Sequence, residues 1–525
     1  MRNCVRPAML SMLVSVSCTL AALAEPASTV PIPWHEEEHF AWIMSPEKVP
    51  GEVSMSPEVR AFVESVFQES HLDALPDVLA NANAWGSLGP NAPAGPRRPE
   101  TERPTRVERL RLPSPGQGTG RGTADDPWRG VLSAFLVGLE YESPGIEAYR
   151  NYPEPAAIRA YLEQLDYEPR CIVVPAGHYR ETTLTVPPGV WLKADGKVVL
   201  EPEVPAESGA SALVTLEVGA GLEGFVLDGS RIPGFQRRAI PAALSEPPEY
   251  RVTAVLAAHK ASIVDNCIRN FTFQGIDAAG SRGRGGSHVV AVGNVIENIG
   301  YSGISGQSRW LIQDNEIRHC GFLRPSEAGG DDGIIVRWGI ETAVVNNLVI
   351  GGRADADAAP EADWRYRGEN GTAVGRHVIS GQSSHRCLVA GNLSIADGAT
   401  RNNIQFSDGS HENRFVGNLA IATATGGWRI QVGVGANGYG NVIEHNVSIL
   451  NAQGYGFGAW GVDPDRSPPG YIRNNHAEYR RALIRRPMSW NRYEDNTGRQ
   501  DHHTVLELTN PEQFGLFGRS GSHDP

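Results

Sequence analysis

The chain is poor in lysine and cysteine, and it has no long apolar segment beyond its N-terminus. Only four of its 47 basic residues are lysine, so a mechanism that needs a lysine amine has few candidates. Its six cysteines show neither a CxxC pair nor zinc-ligand spacing. The net charge of −13 argues against a nucleic-acid partner, because such a partner requires a basic surface. An anionic glycan stays open as a partner, since a cleft can be locally basic.

Residues 1–24 have the features of a signal peptide. Arg2 and Arg6 supply the positive start, residues 8–20 form the apolar centre, and an Ala-Leu-Ala motif marks the cleavage site. No later apolar run reaches the length of a membrane span. We therefore expect an exported monomer, periplasmic or secreted, that has no membrane association after cleavage. Three of the remaining cysteines lie in or beside predicted strands and are expected to be buried free thiols, namely Cys267, Cys320 and Cys387.

The second half of the chain repeats a motif in which an Asn is flanked by β-branched residues, as in VAVGNVI (290–296) and LVAGNLSI (388–395). The copies are separated by 28, 21, 32, 45, 26, 28 and 29 residues. Their anchors are Asn266, Asn294, Asn315, Asn347, Asn392, Asn418, Asn446 and Asn475. A repeat of this length without helix-length amphipathic runs is typical of a solenoid. We expect the Asn side chains to form a ladder and to adopt the left-handed conformation of a tight turn.

Composition divides the rest of the chain into units. A helix is predicted over 57–83, and a second one over 154–166 would cap the first coil of the solenoid. The segment between these helices is rich in Pro, Gly and Arg, which is typical of a linker or an ordered wrap. The units expected after the signal are a partly helical segment (25–84), the linker or wrap (85–153), the solenoid domain (154–477) and a C-terminal cap or tail (478–525).

Over about residues 170–477 the repeats resemble the right-handed parallel β-helix proteins of the pectate-lyase-like superfamily. The resemblance implies an all-β fold of three-stranded coils, in which an Asn-containing turn joins the second strand to the third. It also implies that the outer face of the first strands carries the active cleft. The expected fold is therefore a right-handed parallel β-helix with a short helical N-terminal region and terminal caps.

Alternation within the aligned first strands predicts which of their residues face outward. The alignment includes GIDAAG (275–280), GIIVRW (333–338), HVISGQ (377–382) and RIQVGV (429–434), whose second and fourth residues are mostly apolar and should face the core. The outward set is rich in amides and arginines, which suit sugar hydroxyls and carboxylates. It comprises Asp277, Ser305, Gln307, Arg337, His377, Asn403, Gln405, Arg429, Gln431 and Trp460.

The favoured chemistry is β-elimination on an acidic, uronic-acid polysaccharide. It requires a cation that neutralises the substrate carboxylate, and Arg429 and Arg337 are the candidates. It also requires a base, and His377 is the candidate because the pKa of a histidine is near neutral. In this alignment His377 and Arg429 project from the same edge of the sheet, two coils apart. Asn403 lies in the coil between them and is expected to bind the same sugar.

Other assignments stay open. Lys260 ends an early first strand near Asp277, and the uronate lyases of the superfamily use a basic residue to abstract the proton. The pair Asp331 and Asp332 resembles the paired aspartates of polygalacturonase-type hydrolases, although other motifs of that family are absent. With Asp408, this pair would serve an inverting glycoside hydrolase, which needs two carboxylates around a water. A C5-epimerase would share the lyase residues, and a non-catalytic carbohydrate-binding or envelope solenoid is the alternative outside enzymology.

The longest interval in the repeat, 45 residues, places an insertion at 351–375, beside the proposed cleft. Its aromatic and cationic residues are suited to stacking on an acidic sugar and pairing with it. They are Trp364, Arg365, Tyr366 and Arg367. The acidic run at 353–363 leaves a calcium ion open, although it lacks the regular spacing of a calcium loop. No other cofactor is implied.

Overall fold

The computed structural model is a right-handed parallel β-helix of three-stranded coils, as the sequence predicts. The predicted signal peptide and the helices predicted over 57–83 and 154–166 lie outside the described residues. The structure describes residues 104, 106–112, 120–139, 170–203, 209–233, 250–279, 286–321, 332–351, 377–396, 402–422, 432–450, 455–460, 469–479, 482–485 and 491–500.

The elements fall into an N-terminal group and a regular group. The N-terminal group is β1 (Arg106–Arg109), β2 (Trp128–Arg129), α1 (Val131–Val137), β3 (Arg170–Glu181), β4 (Leu184–Val186), β5 (Val190–Pro202), β6 (Gly209–Leu216), β7 (Gly221–Asp228) and β8 (Tyr250–Ala257).

The regular group begins with β9 (Ser262–Val264), β10 (Cys267–Arg269), β11 (Ile276–Ala278), β12 (Val290–Val292), β13 (Val295–Ile299), β14 (Ile304–Gly306), β15 (Leu311–Gln313), β16 (Glu316–Cys320), β17 (Ile334–Arg337), β18 (Ala343–Val345), β19 (Leu348–Gly351) and β20 (His377–Gln382). It continues with β21 (Leu388–Ala390), β22 (Leu393–Ala396), β23 (Asn402–Ser407), β24 (Arg414–Val416), β25 (Leu419–Ala422), β26 (Val432–Asn437), β27 (Val442–Glu444), β28 (Val447–Leu450), β29 (Tyr455–Trp460), β30 (Tyr471–Arg473), β31 (His476–Tyr479), β32 (Ala482–Arg485), β33 (Arg492–Glu494) and β34 (Thr497–Gln500).

Strands three places apart in the regular group pair in parallel, so each coil has three sides. The first strands of the coils form an eleven-stranded sheet that runs from β4 to β32, which we call the first-strand sheet. The second strands (β9, β12, β15 and onward) and the third strands (β10, β13, β16 and onward) belong to one 23-stranded sheet that bends at the Asn turn. We call these the second-strand row and the third-strand row.

The core lies inside the coils. Along each column one residue per coil stacks on its counterpart, as Ile276, Ile304 and Ile334 do in the first-strand sheet. Ile312 and Val344 do the same in the second-strand row, and all five side chains are fully buried. Burial of an aliphatic side chain contributes about 1.5–3 kcal/mol, so the stacked columns supply the main stabilisation of the solenoid.

The predicted Asn ladder is present, and Asn496 extends it by one coil. The Oδ1 of Asn392 accepts the backbone N–H of Asn347 at 3.0 Å and its Nδ2 at 2.9 Å. The Nδ2 of Asn392 donates to the carbonyl of Val344 at 2.9 Å and to Oδ1 of Asn418 at 2.9 Å. Each Asn therefore links three coils and satisfies buried backbone groups at the bend between the second and third strands.

The turn conformation differs from the prediction in one respect. The left-handed residue is the one before each ladder Asn, with φ of 55° at Asp265, 54° at Asn346 and 62° at Gly391. None of the ladder Asn residues has a positive φ in the described chain. The ladder Asn is needed for its hydrogen bonds, because its amide both donates and accepts. The residue before it tolerates the left-handed backbone, which Gly, Asn and Asp adopt most readily.

The cysteines agree with the prediction of free thiols. Cys320 and Cys387 are buried and free, whereas Cys267 is free but only half-buried. Cys171 is buried. Burial raises the pKa of the Cys267 thiol to about 11 and that of Cys387 to about 12. These thiols stay protonated at neutral pH, which leaves them without nucleophilic character.

At both ends, secondary-structure elements outside the predicted boundaries of the solenoid pair with it or pack on it. Within the segment predicted as a linker or wrap, β1 and β2 pair with β3, and α1 packs on β3 and β4. At the other end β31 to β34 continue the coils to Gln500, beyond the predicted boundary at 477. The reason is Asn496, whose Oδ1 accepts from Nδ2 of Asn475 at 2.8 Å. No helix in the described ranges is long and apolar enough to cross a membrane.

Candidate functional site

The outer face of the first-strand sheet carries three parallel rows of outward residues. The entry row lies where each first strand begins, the central row three residues later, and the exit row two residues after that. The entry row contains Gln274, Ser302, Asp332, His377 and Asn402. The central row contains Asp277, Ser305, Ile335, Ser380 and Gln405. The exit row contains Gln307, Arg337, Gln382, Ser407 and Asn437.

The observed register corrects the sequence alignment at two strands. Ile379, not Val378, pairs with Ile334, so His377 lies one place earlier than predicted and belongs to the entry row. The strand β26 begins at Val432, and Val434 pairs with Ile404. The alignment had placed Ile430 at that position, four residues too early. Alternating apolar residues at 430, 432 and 434 allow several registers, and only pairing across coils selects one.

The same geometry places Asn403 inside the solenoid, although it is predicted to face outward. Its Oδ1 accepts from Ser394 Oγ at 2.8 Å, and its Nδ2 donates to the carbonyl of Ile421 at 2.9 Å. Asn403 is fully buried. Two successive residues face inward at the corner where each first strand begins, so simple alternation fails there. Asn403 is therefore a structural residue and does not bind the sugar expected between His377 and Arg429.

Asp277 is the centre of a cluster on the central row. Its carboxylate accepts the N–H of Ala278 at 2.9 Å. The Gln274 side-chain nitrogen lies 2.8 and 2.9 Å from the two carboxylate oxygens in the amide orientation that matches donor with acceptor. Burial raises the pKa of Asp277 to about 6, although a hydrogen bond with Ser305 and the charge of Arg337 oppose the shift. The pKa of Asp277 thus lies close to neutral pH, within the electrostatic reach of the Arg337 guanidinium.

His377 is the centre of a second cluster on the entry row. Its Nδ1 lies 3.1 Å from Asn402 Nδ2, and its backbone N–H donates to Asp332 Oδ1 at 2.8 Å. The other oxygen of Asp332 accepts from Ser380 Oγ at 2.5 Å. Asp332 and Asn402 are buried, whereas His377 is half-buried. Asp332 therefore has both oxygens engaged in holding the strand β20 in place, and the imidazole of His377 is positioned by Asn402.

The contact with Asn402 bears on the tautomer of His377. If the Asn402 amide nitrogen donates to Nδ1, the neutral imidazole carries its proton on Nε2 and presents a donor to the outer face. The opposite amide orientation leaves Nε2 as a base. In the orientation shown, Asn402 Oδ1 is buried without a hydrogen-bond partner. The orientation of the Asn402 amide thus decides whether His377 presents a proton donor or a proton acceptor to the outer face.

The remaining candidates on the described chain lie at the margins of this face. Gln405 is on the central row and half-buried, and Arg337 is on the exit row and half-buried. Trp460 ends β29 and pairs with Asn437 at the same edge. Asp408 is exposed, and its Oδ2 accepts from Gln382 Nε2 at 2.8 Å.

Lys260 does not end a first strand. The strand β8 ends at Ala257, and Lys260 lies in the following turn with φ of 61°, where its N–H donates to the carbonyl of Ser287. Asp277 pairs with Leu256 of β8, so Lys260 lies four residues beyond the counterpart of Asp277, in the turn towards the second-strand row. The same turn position is left-handed in other coils, for example at Arg386 and Glu412.

Several predicted residues lie outside the described residues. They are Asp331, Trp364, Arg365, Tyr366, Arg367, Arg429 and Gln431. The acidic run at 353–363, which left calcium open, lies there too. Within the described ranges no three His, Cys, Asp or Glu side chains are grouped as a metal site.

Sequence reasoning missed three members of the two clusters, Gln274, Ser380 and Asn402. Gln274 and Asn402 belong to the entry row, which precedes the segments that were aligned. The sequence does contain a pattern that indicates the entry row. Two successive residues face inward at the start of each first strand, and the residue before them is polar in Gln274, Ser302, Asp332 and His377. Ser380 was hidden by the one-residue error in the alignment of β20.

Comparison with known proteins identifies only the architecture. No protein-family model matches the sequence, and no curated protein matches it. The structure is similar to the A-module of mannuronan C-5 epimerase AlgE6 from Azotobacter vinelandii, with 12% identity over 66% of this chain and 94% of that chain and a TM-score of 0.37. It is also similar to the GH136 lacto-N-biosidase from Eubacterium ramulus, with 14% identity over 63% of this chain and 62% of that chain and a TM-score of 0.42.

A third similar structure is the alginate lyase from Paenibacillus sp. str. FPU-7, with 12% identity over 66% of this chain and 97% of that chain and a TM-score of 0.30. At these identities the likeness concerns the fold. The chemistry of this chain has to be argued from its own residues.

Proposed function

We propose that this chain is an exported enzyme that cleaves an acidic polysaccharide by β-elimination on the outer face of the first-strand sheet. The observation that carries the proposal is the Asp277 cluster, in which a carboxyl with a pKa of about 6 lies under the influence of the Arg337 guanidinium. A uronate presents its carboxylate and the proton on the adjacent carbon to the enzyme together. A base next to a cation matches that arrangement.

The step assigns one role to each group. Arg337 binds the uronate carboxylate, which makes the proton on the adjacent carbon more acidic. Ionised Asp277 removes that proton, and the electron pair forms a double bond as the glycosidic C–O bond on the next carbon breaks. The leaving oxygen takes up that proton, which Asp277 returns through the hydroxyl of Ser305, its hydrogen-bond partner, so that Asp277 is ionised again at the end of the step. Gln274 holds the carboxylate of Asp277 in position.

His377 and Asp277 belong to first strands three coils apart, which is about 14 Å of backbone separation at the usual strand spacing. One sugar ring does not touch both. His377 therefore serves a different sugar subsite, or it is the base of a separate centre with Arg429. Separate substitution of the two residues distinguishes these arrangements.

An inverting glycoside hydrolase is the second candidate, because Asp277 and Asp332 lie two coils apart. Two strand spacings account for about 10 Å, and Asp332 lies three residues before Ile335, the counterpart of Asp277, so their backbones are more than about 10 Å apart. Inverting enzymes hold their carboxyl groups about 6.5–9.5 Å apart. Both oxygens of Asp332 are engaged, however, with His377 N–H and Ser380 Oγ. Asp332 is also only 2% exposed, so it has no open position for a water, whereas Asp277 is half-buried and open to the outer face. This difference favours elimination with Asp277 as the base.

The test is incubation of the mature protein with a panel of uronic-acid polymers, followed by ultraviolet absorbance and reducing-end release. Elimination produces an unsaturated product that absorbs, and kcat/KM should rise with pH through about 6, where Asp277 ionises. Reducing ends without absorbance, with activity that falls above that pH, would indicate a hydrolase with Asp277 as general acid. Inversion of uronate configuration without cleavage would indicate a C5-epimerase. Binding without any reaction would contradict an enzymatic role.

A further inference from the structure

The outer face of the second-strand row is apolar and buried over most of its length. Its outward residues alternate with the core residues Ala291, Ile312, Val344, Val389 and Phe415, so they point away from the interior. They are nevertheless only 0–4% exposed. This apolar strip comprises Val290, Val292, Leu311, Ala343, Val345, Leu388, Ala390 and Val416.

The strip ends abruptly towards the C-terminus. At the same outward positions β27 carries Glu444, which is 2% exposed and receives hydrogen bonds from Arg414 and Arg473. Two coils later, on β33, the outward residues Arg492 and Glu494 are exposed. The same row also holds the buried polar residues Gln313 on β15 and Arg414 on β24. Buried residues that face outward indicate a cover over the row, which reaches at least to Glu444 and ends before the exposed residues of β33.

A segment of this chain is the candidate for the cover, because the strip is buried in the single chain. The helix α1 packs on β3 and β4, at the N-terminal end of the solenoid. The long intervals at 322–331, 352–376 and 423–431 leave from the corner between a third strand and the next first strand. In a three-sided coil that corner is opposite the second-strand row. The chain ends are therefore better placed to supply the cover than these insertions.

We propose that the apolar strip is the docking surface for the segment predicted as a helix over 57–83. Its apolar residues follow a helical spacing, which places them on one face: Val59, Phe62, Val63, Val66 and Phe67. The nine residues 59–67 would extend about 13 Å as a helix. The strip from β12 to β24 covers four strand spacings, which is about 19 Å. The apolar face of the helix thus fits within the strip and matches it in chemistry.

The place where the N-terminal segment joins the solenoid agrees with this docking. The first described strand of the chain, β1, pairs with β3, and β3 pairs with β5. Cys171 of β3 and Trp191 of β5 form a buried outer cluster with Val264 of β9. The apolar surface therefore continues from the strip towards the coil on which the N-terminal segment joins the solenoid. This inference does not depend on the proposed enzymatic activity.

The test uses the mature full-length chain with one aspartate introduced on either face of the predicted helix. Val66→Asp places the charge on the apolar face, and Gln68→Asp places the same charge on the opposite face. Hydrogen exchange is followed in peptides that contain β12, β15 and β18. Val66→Asp should increase their exchange at least about tenfold and increase binding of a hydrophobic dye, because docking is weakened by more than about 1.4 kcal/mol. Gln68→Asp should match the wild type.

A second measurement keeps the proposal testable if Val66→Asp misfolds. A mature chain that begins at residue 84 should expose the strip, bind the dye and self-associate, and a synthetic peptide of residues 56–83 should reverse all three effects. Unchanged exchange in β12, β15 and β18 after this truncation would overturn the proposal. So would exposure of the strip after removal of residues 501–525 in place of the N-terminal segment, or equal effects of Val66→Asp and Gln68→Asp.

Discussion

Two outer faces of the same solenoid differ in chemistry, although their backbones are alike. The first-strand sheet carries polar residues outward, and several of them are buried, including Gln274, Asp332 and Asn402. The second-strand row carries aliphatic residues outward, and these are buried as well. Both faces have an apolar column facing inward. The inward columns specify the fold, whereas the outward residues decide what each face binds.

Burial has a different energetic consequence on each of these two faces. On the second-strand row a buried aliphatic side chain gains stability from its cover. On the first-strand sheet the half-buried carboxyl of Asp277 loses part of its hydration, so the charged form is disfavoured and the pKa of Asp277 is raised to about 6. Such a shift costs stability at neutral pH and is typical of a functional position. The polar face is therefore the one on which chemistry is expected.

The largest expected effect is on the polar face. Asp277→Asn removes the base and should lower kcat on a cleaved uronate polymer about 1,000-fold, with no loss of the folded state. The change keeps the size of the side chain and removes a group whose ionisation is unfavourable in the fold. Asp195→Asn, the same change at an exposed residue that pairs with Arg109, is the control. Equal activity of Asp277→Asn and wild type would remove the Asp277 cluster from the mechanism.

The second prediction concerns the ladder at the bend between the second and third strands. Asn392→Ala leaves Asn347 N–H and the carbonyl of Val344 buried without their partner, so the free energy of unfolding should fall by about 3 kcal/mol. Asn496→Ala, at the partly exposed end of the ladder, should cost about 1 kcal/mol. Denaturant unfolding measures both values. Equal costs at the two positions would show that the ladder does not act through buried hydrogen bonds.

The third prediction concerns the corner between the two faces, where His385, His411 and Tyr439 stack with ring centroids 3.7 and 4.3 Å apart. Burial lowers the pKa of His385 to about 4, helped by the adjacent His411 and Arg386 and opposed by Glu412. Burial also lowers the pKa of His411 to about 4, again helped by Arg386. In the unfolded chain both titrate near 6.5.

The unfolded chain therefore binds more protons than the folded one between pH 6.5 and about 4. The free energy of unfolding should therefore fall as the pH falls through that window, and the loss due to these two histidines should be complete below it. The loss should amount to about 1–2 kcal/mol, since both rings are partly exposed and water screens their interactions. Thermal unfolding across this range is the measurement. A His385→Phe, His411→Phe double variant should lose less stability in acid, and an unchanged pH profile would contradict the assignment.

The smallest expected effect is at the exit row of the polar face. Gln382→Ala removes a hydrogen bond to Asp408, which is exposed, so stability should change by no more than about 0.5 kcal/mol. A matched substitution on the other face, Val345→Thr, buries a hydroxyl in the apolar strip and should cost about 1–3 kcal/mol. Denaturant unfolding of the two variants compares the faces directly. A cost at Gln382 as large as that at Val345 would mean that the exit row is also covered.

Particular residues show where sequence reasoning succeeded and where it failed. The outward positions of Asp277, Ser305, Arg337 and Gln405 follow from alternation and are found on the outer face. The prediction that Asn403 faces outward is wrong, because two successive residues face inward at the corner. The predicted register of β26 is wrong because several alternating registers are equally apolar in that segment, and Val434 pairs with Ile404. Arg429 itself lies outside the described residues.

The sequence by itself determined the parallel β-helix and its Asn ladder. Each ladder Asn must lie over the next to satisfy its buried amide, so the recurrence of Asn specifies the coils even when insertions separate them by 21 to 45 residues. Only the tertiary structure decided which polar residues meet. Gln274, Asp277, Ser305 and Arg337 come from three coils, and their contacts depend on strand register. Register is selected by pairing across the whole sheet, and no local pattern encodes it.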